Sequence, residues 1–448
     1  MGDENQSGDY SQFVIHARGV KEVVQVGSLF FCYNSFLHMD TFFKIMLPKV
    51  HKGLTIITWA TAIRWIGWGF VEALLPIFLF SFAHSYAGTG FLRSIYSVVF
   101  LLSVPIIGAM ANQVRAKNLI LTGLLIYPFI GLAYYFAGLW GAISFIIIAR
   151  VLNGVSFALD NVGRMTYLRK HENIAYTGSA IGYMQTVSYF WWLASILFSS
   201  VLIKYFEIYE FFLLIIPTTL VAFFIMLKVP VDPEHEYSNN WEKFISWRTY
   251  KNFLEEIVIW NKDLKRLAVL NSLLQMTIAI VVFFMPIILF EKGDSFQQII
   301  FFTFIFYVPV LLSGTFGWFA DRIKPEHVTL GFLLLAVLLG LVGFSSSYNL
   351  QLALVFFLSA VAVFLRIFVD AEMTRRGDSR KYGTLTGASL EIGELSSIAG
   401  PILIGAMIDL YSMQIAFLAL AILIILVSVV FRPVHHEIKR VPVVVEQF

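Results

Sequence analysis

Apolar runs of about 20 residues recur from residue 54 to residue 432, and short polar breaks separate them. A helix rises about 1.5 Å per residue, so a run of this length crosses the hydrocarbon core of a bilayer. Only 14% of the residues are charged, against roughly a quarter in soluble domains. The pattern predicts an all-α membrane protein with twelve transmembrane helices and excludes a soluble globular fold. The predicted spans cover residues 54–83, 90–112, 119–138, 141–161, 177–203, 209–228, 265–290, 297–319, 328–347, 350–370, 384–409 and 413–432.

Basic residues predict the orientation of the bundle. When alternate loops are assigned to opposite sides, one side carries eleven lysines and arginines in four short loops. The other side carries only Lys204 and Lys292, with Arg93 just inside a span. Positive charge is retained on the cytoplasmic side, so both termini and the long central segment are expected there. The four basic loops are residues 113–118, 161–176, 320–327 and 371–383.

The regions outside the spans complete a five-part organisation. The first residues are acidic and lack the basic start of a signal peptide. Met39 and Met46 lie close to the first span, so a start at either is an open alternative. The central segment mixes apolar residues at helical spacing with basic ones, which indicates an amphipathic helix in the headgroup region. The parts are a cytoplasmic arm (1–53), a six-helix bundle (54–228), a cytoplasmic linker (229–263), a second six-helix bundle (264–432) and a cytoplasmic tail (433–448).

The two predicted bundles repeat each other. Three features recur in separate spans at offsets of 210, 209 and 209 residues. Six spans in each copy give both copies the same orientation, so an axis along the membrane normal relates them and a substrate site is expected near the midplane between them. The recurring features are Pro76–Phe80 with Pro286–Phe290, Gly108 with Gly317, and Thr177 with Thr386.

Two local motifs carry a resemblance to a known family. The loop from Gly317 through Asp321 and Arg322 to Lys324 resembles motif A of the major facilitator superfamily. Its counterpart from Gly108 keeps the glycine and the basic end but has Asn-Gln in place of Asp-Arg. The resemblance implies two six-helix halves in which these loops take part in gating, with Asp321 close to the start of the fifth helix. No subfamily is identified.

The fourth span supplies the second motif. Its stretch from Arg150 through Asn153 to Gly154 resembles motif B of the same family, with Asn in place of Gln. The resemblance implies that Arg150 takes part in proton-coupled exchange, as in an efflux-type antiporter.

Arg150 also constrains function through its own chemistry, because an unpaired charge in the middle of a transmembrane helix costs several kcal/mol. A guanidinium keeps its proton, so it needs a carboxylate, carbonyl groups or a water-filled cavity. Measured from the cytoplasmic edge, Arg64 lies roughly 12–15 Å deep, Arg150 roughly 16–18 Å and Glu72 roughly 24–27 Å. Glu72 is therefore the first candidate to pair with Arg150 and to exchange it for a proton. A fixed ion pair that braces helices one and four is the alternative.

The eleventh span offers two further carboxylates. Glu391 and Glu394 are three residues apart and lie on neighbouring faces of one helix. Two carboxylates so placed can carry a proton or bind a cation. In the repeat, Glu394 corresponds to Gln185. An alternative for Glu391 is an ion pair with Arg366 near the cytoplasmic edge.

Other residues are candidates for gates or for the cavity lining. Charged pairs at i, i+4 near the cytoplasmic ends of the fourth and tenth spans favour gating or bracing over substrate binding, because water reaches that depth. The gate and inter-half candidates are Gly108, Gly317, Asp321, Arg322, Asp160, Arg164, Arg366 and Asp370. Candidate cavity residues are Trp65, Trp68, Asn153, Tyr183, Gln185, Tyr189, Trp191, Trp192, Asn271, Gln275 and Glu391, although aromatic residues in such a chain more often serve packing.

The leading hypothesis is a secondary transporter that exports a small, amphiphilic organic molecule in exchange for protons. A solute or lipid-headgroup transporter and a non-transporting receptor or scaffold are the alternatives. No phosphate loop, nucleophile triad or histidine ligand spacing occurs, and Cys32 is the single cysteine, so an enzyme, a metal site, a cofactor and a nucleic-acid partner are not expected. The expected partners are the bilayer, the substrate and protons, and a monomer is expected.

Overall fold

The computed structural model describes most of the residues in Lys49–Phe448. The predictions for the N-terminal arm, for most of the central linker and for the tail after residue 431 lie outside the described residues. The structure describes residues 51–111, 114–171, 177–230, 246, 249–251, 255, 260–320, 322–323, 327–376 and 382–431.

The described residues form fourteen α-helices and contain no strand. They are α1 (Lys52–Glu72), α2 (Leu75–Ala83), α3 (Tyr86–Ala111), α4 (Ala116–Trp140), α5 (Ile143–His171), α6 (Thr177–Leu202), α7 (Ile215–Met226), α8 (Lys262–Glu291), α9 (Phe296–Tyr307), α10 (Ser313–Ala320), α11 (Val328–Phe344), α12 (Tyr348–Arg376), α13 (Tyr382–Leu410) and α14 (Met413–Val430). Two 3₁₀ segments, Ile208–Leu214 and Val308–Leu312, precede α7 and α10. Within these described ranges, ten segments are long and apolar enough to cross a membrane.

The prediction of an all-α, membrane-spanning chain is confirmed, whereas the described residues form fourteen α-helices where the sequence predicts twelve. The first predicted span is divided into α1 and α2, and the eighth into α9 and α10. Pro76 explains the first break, because a proline lacks an N–H and its ring clashes with the carbonyl four residues earlier, here that of Glu72. Pro309 lies at the start of the 3₁₀ segment that interrupts the eighth span.

Helix packing follows the predicted repeat. In the first half α1 packs on α6, α3 on α5, and α4 on both α5 and α7. In the second half α8 packs on α13, α10 on α12, and α11 on both α12 and α14. Contacts between the halves come mainly from α3 with α13 and from α6 with α9. Each pair in one half therefore has its counterpart about six spans later.

The turns after the first and seventh predicted spans occupy equivalent positions in the repeat and have the same backbone conformation. His84 and Gly293 both have a left-handed backbone, with φ of 52° and 87°. They are 209 residues apart, the offset already seen in two of the sequence repeats. Only glycine adopts this conformation without a steric penalty, so His84 introduces strain that Gly293 avoids.

The two halves are joined tightly at the end of the molecule where α3 begins and α13 ends, here called the closed end. The Asp409 carboxylate accepts hydrogen bonds from the backbone N–H groups of Tyr86 and Ala87, at 2.9 and 2.8 Å. These are free donors of the first turn of α3, where an anion is favoured by the helix dipole. The Tyr86 hydroxyl also donates to Glu291. A Cβ atom at Gly405 would lie 2.5 Å from the Tyr86 carbonyl oxygen, so glycine allows this approach.

Candidate transport site

A buried ion cluster joins α1, α4 and α5. The Asp160 carboxylate lies 2.9 Å from the guanidinium nitrogens of both Arg64 and Arg164. Arg64 also donates to the Tyr127 hydroxyl and lies over that ring, 4.7 Å from its centroid. Arg64 and Asp160 are each 1% exposed, so the cluster is enclosed rather than open to water as the sequence analysis expected. Hydrogen bonds and opposite charges stabilise it as a brace between three helices.

Glu72 is the last residue of α1, at the break before α2. The Tyr307 hydroxyl, at the end of α9, donates a hydrogen bond of 2.8 Å to Glu72 Oε1. This hydrogen bond connects the two halves, and both partners lie where a helix is interrupted. In transporters, discontinuous helices near the midplane commonly form the substrate and ion sites.

Arg150 lies in the middle of α5 and is 4% exposed. Its Nε and Nη2 atoms are enclosed and have no hydrogen-bond partner among the residues that the structure describes, and its guanidinium lies 5.9 Å from the Tyr134 ring centroid. Among the described residues, no carboxylate oxygen lies within the 4.0 Å that defines an ion pair with Arg150. Glu72 acts on Arg150 electrostatically without contacting it. The predicted pairing of the two residues thus stays a prediction.

Arg93 in α3 belongs to the same set of charges. Its guanidinium donates to the Ser397 carbonyl at 3.1 Å and lies 5.4 Å from the Phe283 centroid. Glu394 and Arg150 both interact with it electrostatically. Arg93 was not predicted as a site residue, although an arginine inside a span is itself a signal for a functional site.

Glu394 in α13 provides a carboxylate from the second half. It is half-buried, lies beside the Ser97 hydroxyl and interacts electrostatically with Arg93 and Arg366. Its Oε2 atom is enclosed and has no hydrogen-bond partner in the described part of the chain. Two carboxylates on different halves, Glu72 and Glu394, therefore accompany two arginines at the interface between the halves.

Aromatic side chains form a wall next to Glu72. Trp65 lies 4.9 Å from Tyr189 and 5.0 Å from Trp192, measured between ring centroids. The centroid of the Trp192 ring in turn lies 4.7 Å from that of Tyr307, whose hydroxyl is hydrogen-bonded to Glu72. This aromatic wall, Trp65, Tyr189, Trp192 and Tyr307, offers flat apolar faces beside the charged groups. Tyr307 was not predicted, and the proline-interrupted eighth span is the sequence signal that points to it.

The structure distributes the remaining predicted cavity residues unevenly. Trp68 packs against Tyr127 instead of the aromatic wall, with 6.1 Å between ring centroids. Asn153 and Asn271 are buried, Tyr183 and Gln275 are half-buried, and Gln185 is exposed. Glu391 belongs to α13, but its side chain lies outside the described residues.

The predicted gate residues are partly described. A Cβ atom at Gly108 would meet nothing within 4 Å, and one at Gly317 would meet only Ile367 at 4.0 Å. Arg322 and Asp370 are exposed. The predicted contact of Asp321 with the start of the fifth helix lies outside the described residues, although α6 and α9 pack together as that prediction requires. The remaining gate residue, Arg366, is half-buried and acts electrostatically on Glu394.

Comparison with known proteins identifies the family. A family model described as Major Facilitator Superfamily matches residues 57–389 and 267–447. The two matched ranges begin at an offset equal to the 210 residues that separate the repeated prolines. No curated protein sequence matches the chain.

Solved structures of transporters share the fold. The human organic anion transporter MFSD10 (TETRAN) has a TM-score of 0.64 at 15% identity, covering 86% of this chain and 100% of its own. The nucleoside transporter NupG has a TM-score of 0.66 at 14% identity, covering 85% and 98%.

A bacterial homolog of the human lysosomal transporter Spinster, in an inward-facing and unoccupied conformation, has a TM-score of 0.64 at 12% identity, covering 85% and 95%. At such identities the likeness shows the fold alone. Because the family model matches more than half of the sequence, this integral, multi-pass membrane chain belongs to the Major Facilitator Superfamily.

Proposed function

We propose that the chain is a secondary transporter that moves a small organic molecule by alternating access and couples this movement to protons. The fourteen α-helices then correspond to twelve spans, since α1 with α2 and α9 with α10 each cross the membrane once. The halves are residues 54–228 and 264–432, and both termini lie in the cytoplasm. Export in exchange for protons is the direction that the sequence predicts.

The hydrogen bond between Glu72 and Tyr307 is the observation that carries this proposal. It joins the two halves at two helix breaks, and Arg93 and Arg150 act electrostatically on its carboxylate. A carboxylate that takes up a proton no longer attracts an arginine, so the proton changes the balance of attractions across the interface. Proton uptake at Glu72 therefore gives a physical link between charge and the relative position of the halves.

The closed end supports the alternating movement. Opening this end requires that Asp409 leave the first turn of α3 and that Tyr86 leave Glu291, because both contacts bridge the halves. Tyr86 also packs against Phe80 and Phe284, so opening this end separates aromatic as well as polar contacts. The halves can then separate at one end as rigid bodies, which is the rocking movement of this fold.

The test is transport by the full chain in proteoliposomes, with and without an imposed pH gradient, across a panel of labelled organic acids, bases and neutral amphiphiles. The wild type should transport at least one compound faster when the gradient is present. The direction of the accelerated flux distinguishes export from import.

Glu72→Gln should abolish the acceleration, because the amide keeps the shape of the side chain but does not titrate. Arg150→Lys should also impair coupling, since an ammonium lacks the fork geometry of the guanidinium. Glu255→Gln, at an exposed glutamate that pairs with Lys251 outside the spans, is the matched control and should leave coupling intact. An unchanged gradient response in Glu72→Gln would exclude Glu72 and leave Glu394 as the proton carrier. Absence of gradient-driven flux for the whole panel would contradict the proposed function.

A further inference from the structure

Within the part of the chain that the structure describes, two guanidinium groups at the interface between the halves lack a carboxylate in contact. Arg150 is almost fully buried, and two of its three nitrogens have no acceptor among those same residues. Arg93 donates to a backbone carbonyl, which is neutral. The two cations also repel each other. Placing two like charges close together away from water costs free energy unless a partner of opposite charge is present.

The nearby carboxylates do not supply this partner. Glu72 accepts its hydrogen bond from Tyr307, and Glu394 lies beside Ser97. Both act on the arginines only at a distance, since neither forms an ion pair with them. Arg64 shows the contrast with Arg150, because both are buried but Arg64 is paired with a carboxylate at 2.9 Å. Since no described carboxylate pairs with Arg150 or Arg93, the partner that would offset their charges is best supplied from outside the chain.

We propose that the substrate carries an anionic group, such as a carboxylate, sulfonate or phosphate, that binds between Arg150 and Arg93. Guanidinium groups bind such groups through parallel, charge-assisted hydrogen bonds. This inference rests on the proposed transport function and names the substrate class of that site.

The aromatic wall defines the rest of the ligand. Tyr307 of this wall donates a hydrogen bond to Glu72, and Glu72 interacts electrostatically with both Arg93 and Arg150. The aromatic wall and the two arginines therefore belong to one site. Flat aromatic rings favour an apolar, planar body that stacks against them. The substrate class is thus an amphiphilic organic anion with an aromatic or otherwise flat part next to the charge.

The experiment measures binding to the full chain in neutral detergent by isothermal titration calorimetry, at one fixed pH and without a gradient. The probes are naphthoate and naphthyl phosphate, with neutral naphthamide as their matched control. Lysophosphatidic acid is a separate arm, because a lipid headgroup carries the same anionic chemistry. The variants are Arg150→Gln, Arg93→Gln and, as a charge-loss control at an exposed site, Lys204→Gln. Size-exclusion profiles and melting curves confirm that each variant is folded.

At least one anionic probe should bind, and naphthamide should bind at least about tenfold more weakly than naphthoate. Arg150→Gln and Arg93→Gln should each weaken anion binding by about tenfold or more, while Lys204→Gln should not change it. Arginine-dependent binding of lysophosphatidic acid alone would identify the anion as a lipid headgroup. Three results would overturn the inference. They are equal binding of naphthoate and naphthamide, anion binding that stays unchanged in both arginine variants, and no binding of any anionic probe. A neutral compound transported under the pH gradient would leave the proposed function standing without this inference.

Discussion

The enclosed ion cluster allows a quantitative test by Asp160→Asn. The Asp160 carboxylate contacts Arg64 and Arg164 at 2.9 Å each, and Arg64 and Asp160 are each 1% exposed. Asparagine keeps the shape and one acceptor oxygen but removes the charge, which leaves two buried cations. Their remaining partners are the Tyr127 hydroxyl and the backbone oxygen of residue 160, the latter 3.4 Å from Arg164. Removing one partner of a buried ion pair costs about 3–5 kcal/mol, so we expect the free energy of unfolding to fall by about that amount.

Equilibrium unfolding in mixed micelles measures this loss. The matched control is Asp263→Asn, because Asp263 contacts Arg266 at 3.3 Å while the two side chains remain 18% and 33% exposed. Because both side chains of this pair are partly exposed, its loss should cost about 1 kcal/mol or less. In the double variant Asp160→Asn, Arg164→Gln only one unpaired cation remains, so part of the loss should be recovered. Equal losses for the two aspartates, or a loss below about 1 kcal/mol for Asp160→Asn, would refute the assignment of the cluster as a brace.

Three further substitutions test other parts of the structure. Tyr307→Phe removes the donor to Glu72 and should shift the pH dependence of flux while the chain stays folded; an unchanged profile would exclude this hydrogen bond from coupling. Gly405→Ala places a Cβ about 2.5 Å from the Tyr86 carbonyl and should open the closed end, measured as faster labelling of a reporter cysteine there; unchanged labelling would contradict the tight approach. His84→Gly should raise the free energy of unfolding by about 1 kcal/mol, because glycine adopts the left-handed backbone without a penalty; a loss of stability would contradict this.

The sequence predicted the spans well because the bilayer sets their length. A run of about 20 apolar residues is a long-range signal that does not depend on which helices later pack together. The interruptions were missed for a physical reason. Pro76 breaks its span, whereas Pro286 at the equivalent position of the repeat lies inside the continuous helix α8. Neighbouring helices can replace the hydrogen bond that a proline removes, so the residue alone does not decide the outcome.

The pairing of charges was harder to predict than their depth. The rise per residue gives a depth, but it does not show which helix lies opposite. Asp160 with Arg164 was predicted because the two residues share one helix, and the structure brings them together. Arg64 lies 96 residues before Asp160, so only the packing of α1 beside α5 shows that they meet. Tyr307 joins Glu72 across 235 residues for the same reason.

Arg64 and Arg150 differ in how their charges are paired. Both are buried arginines on apolar helices, and both lie near a tyrosine ring. Arg64 has its carboxylate in Asp160, so its desolvation is offset permanently by the fold. Arg150 has no such partner among the described residues. Glu72, a carboxylate that interacts with it electrostatically, accepts a hydrogen bond from Tyr307 of the other half. A charge whose partner depends on how the halves are placed is stable in one arrangement and costly in another. Under the proposed function, this dependence is what allows a proton or a bound anion to change the preferred arrangement, which a permanently paired arginine does not allow.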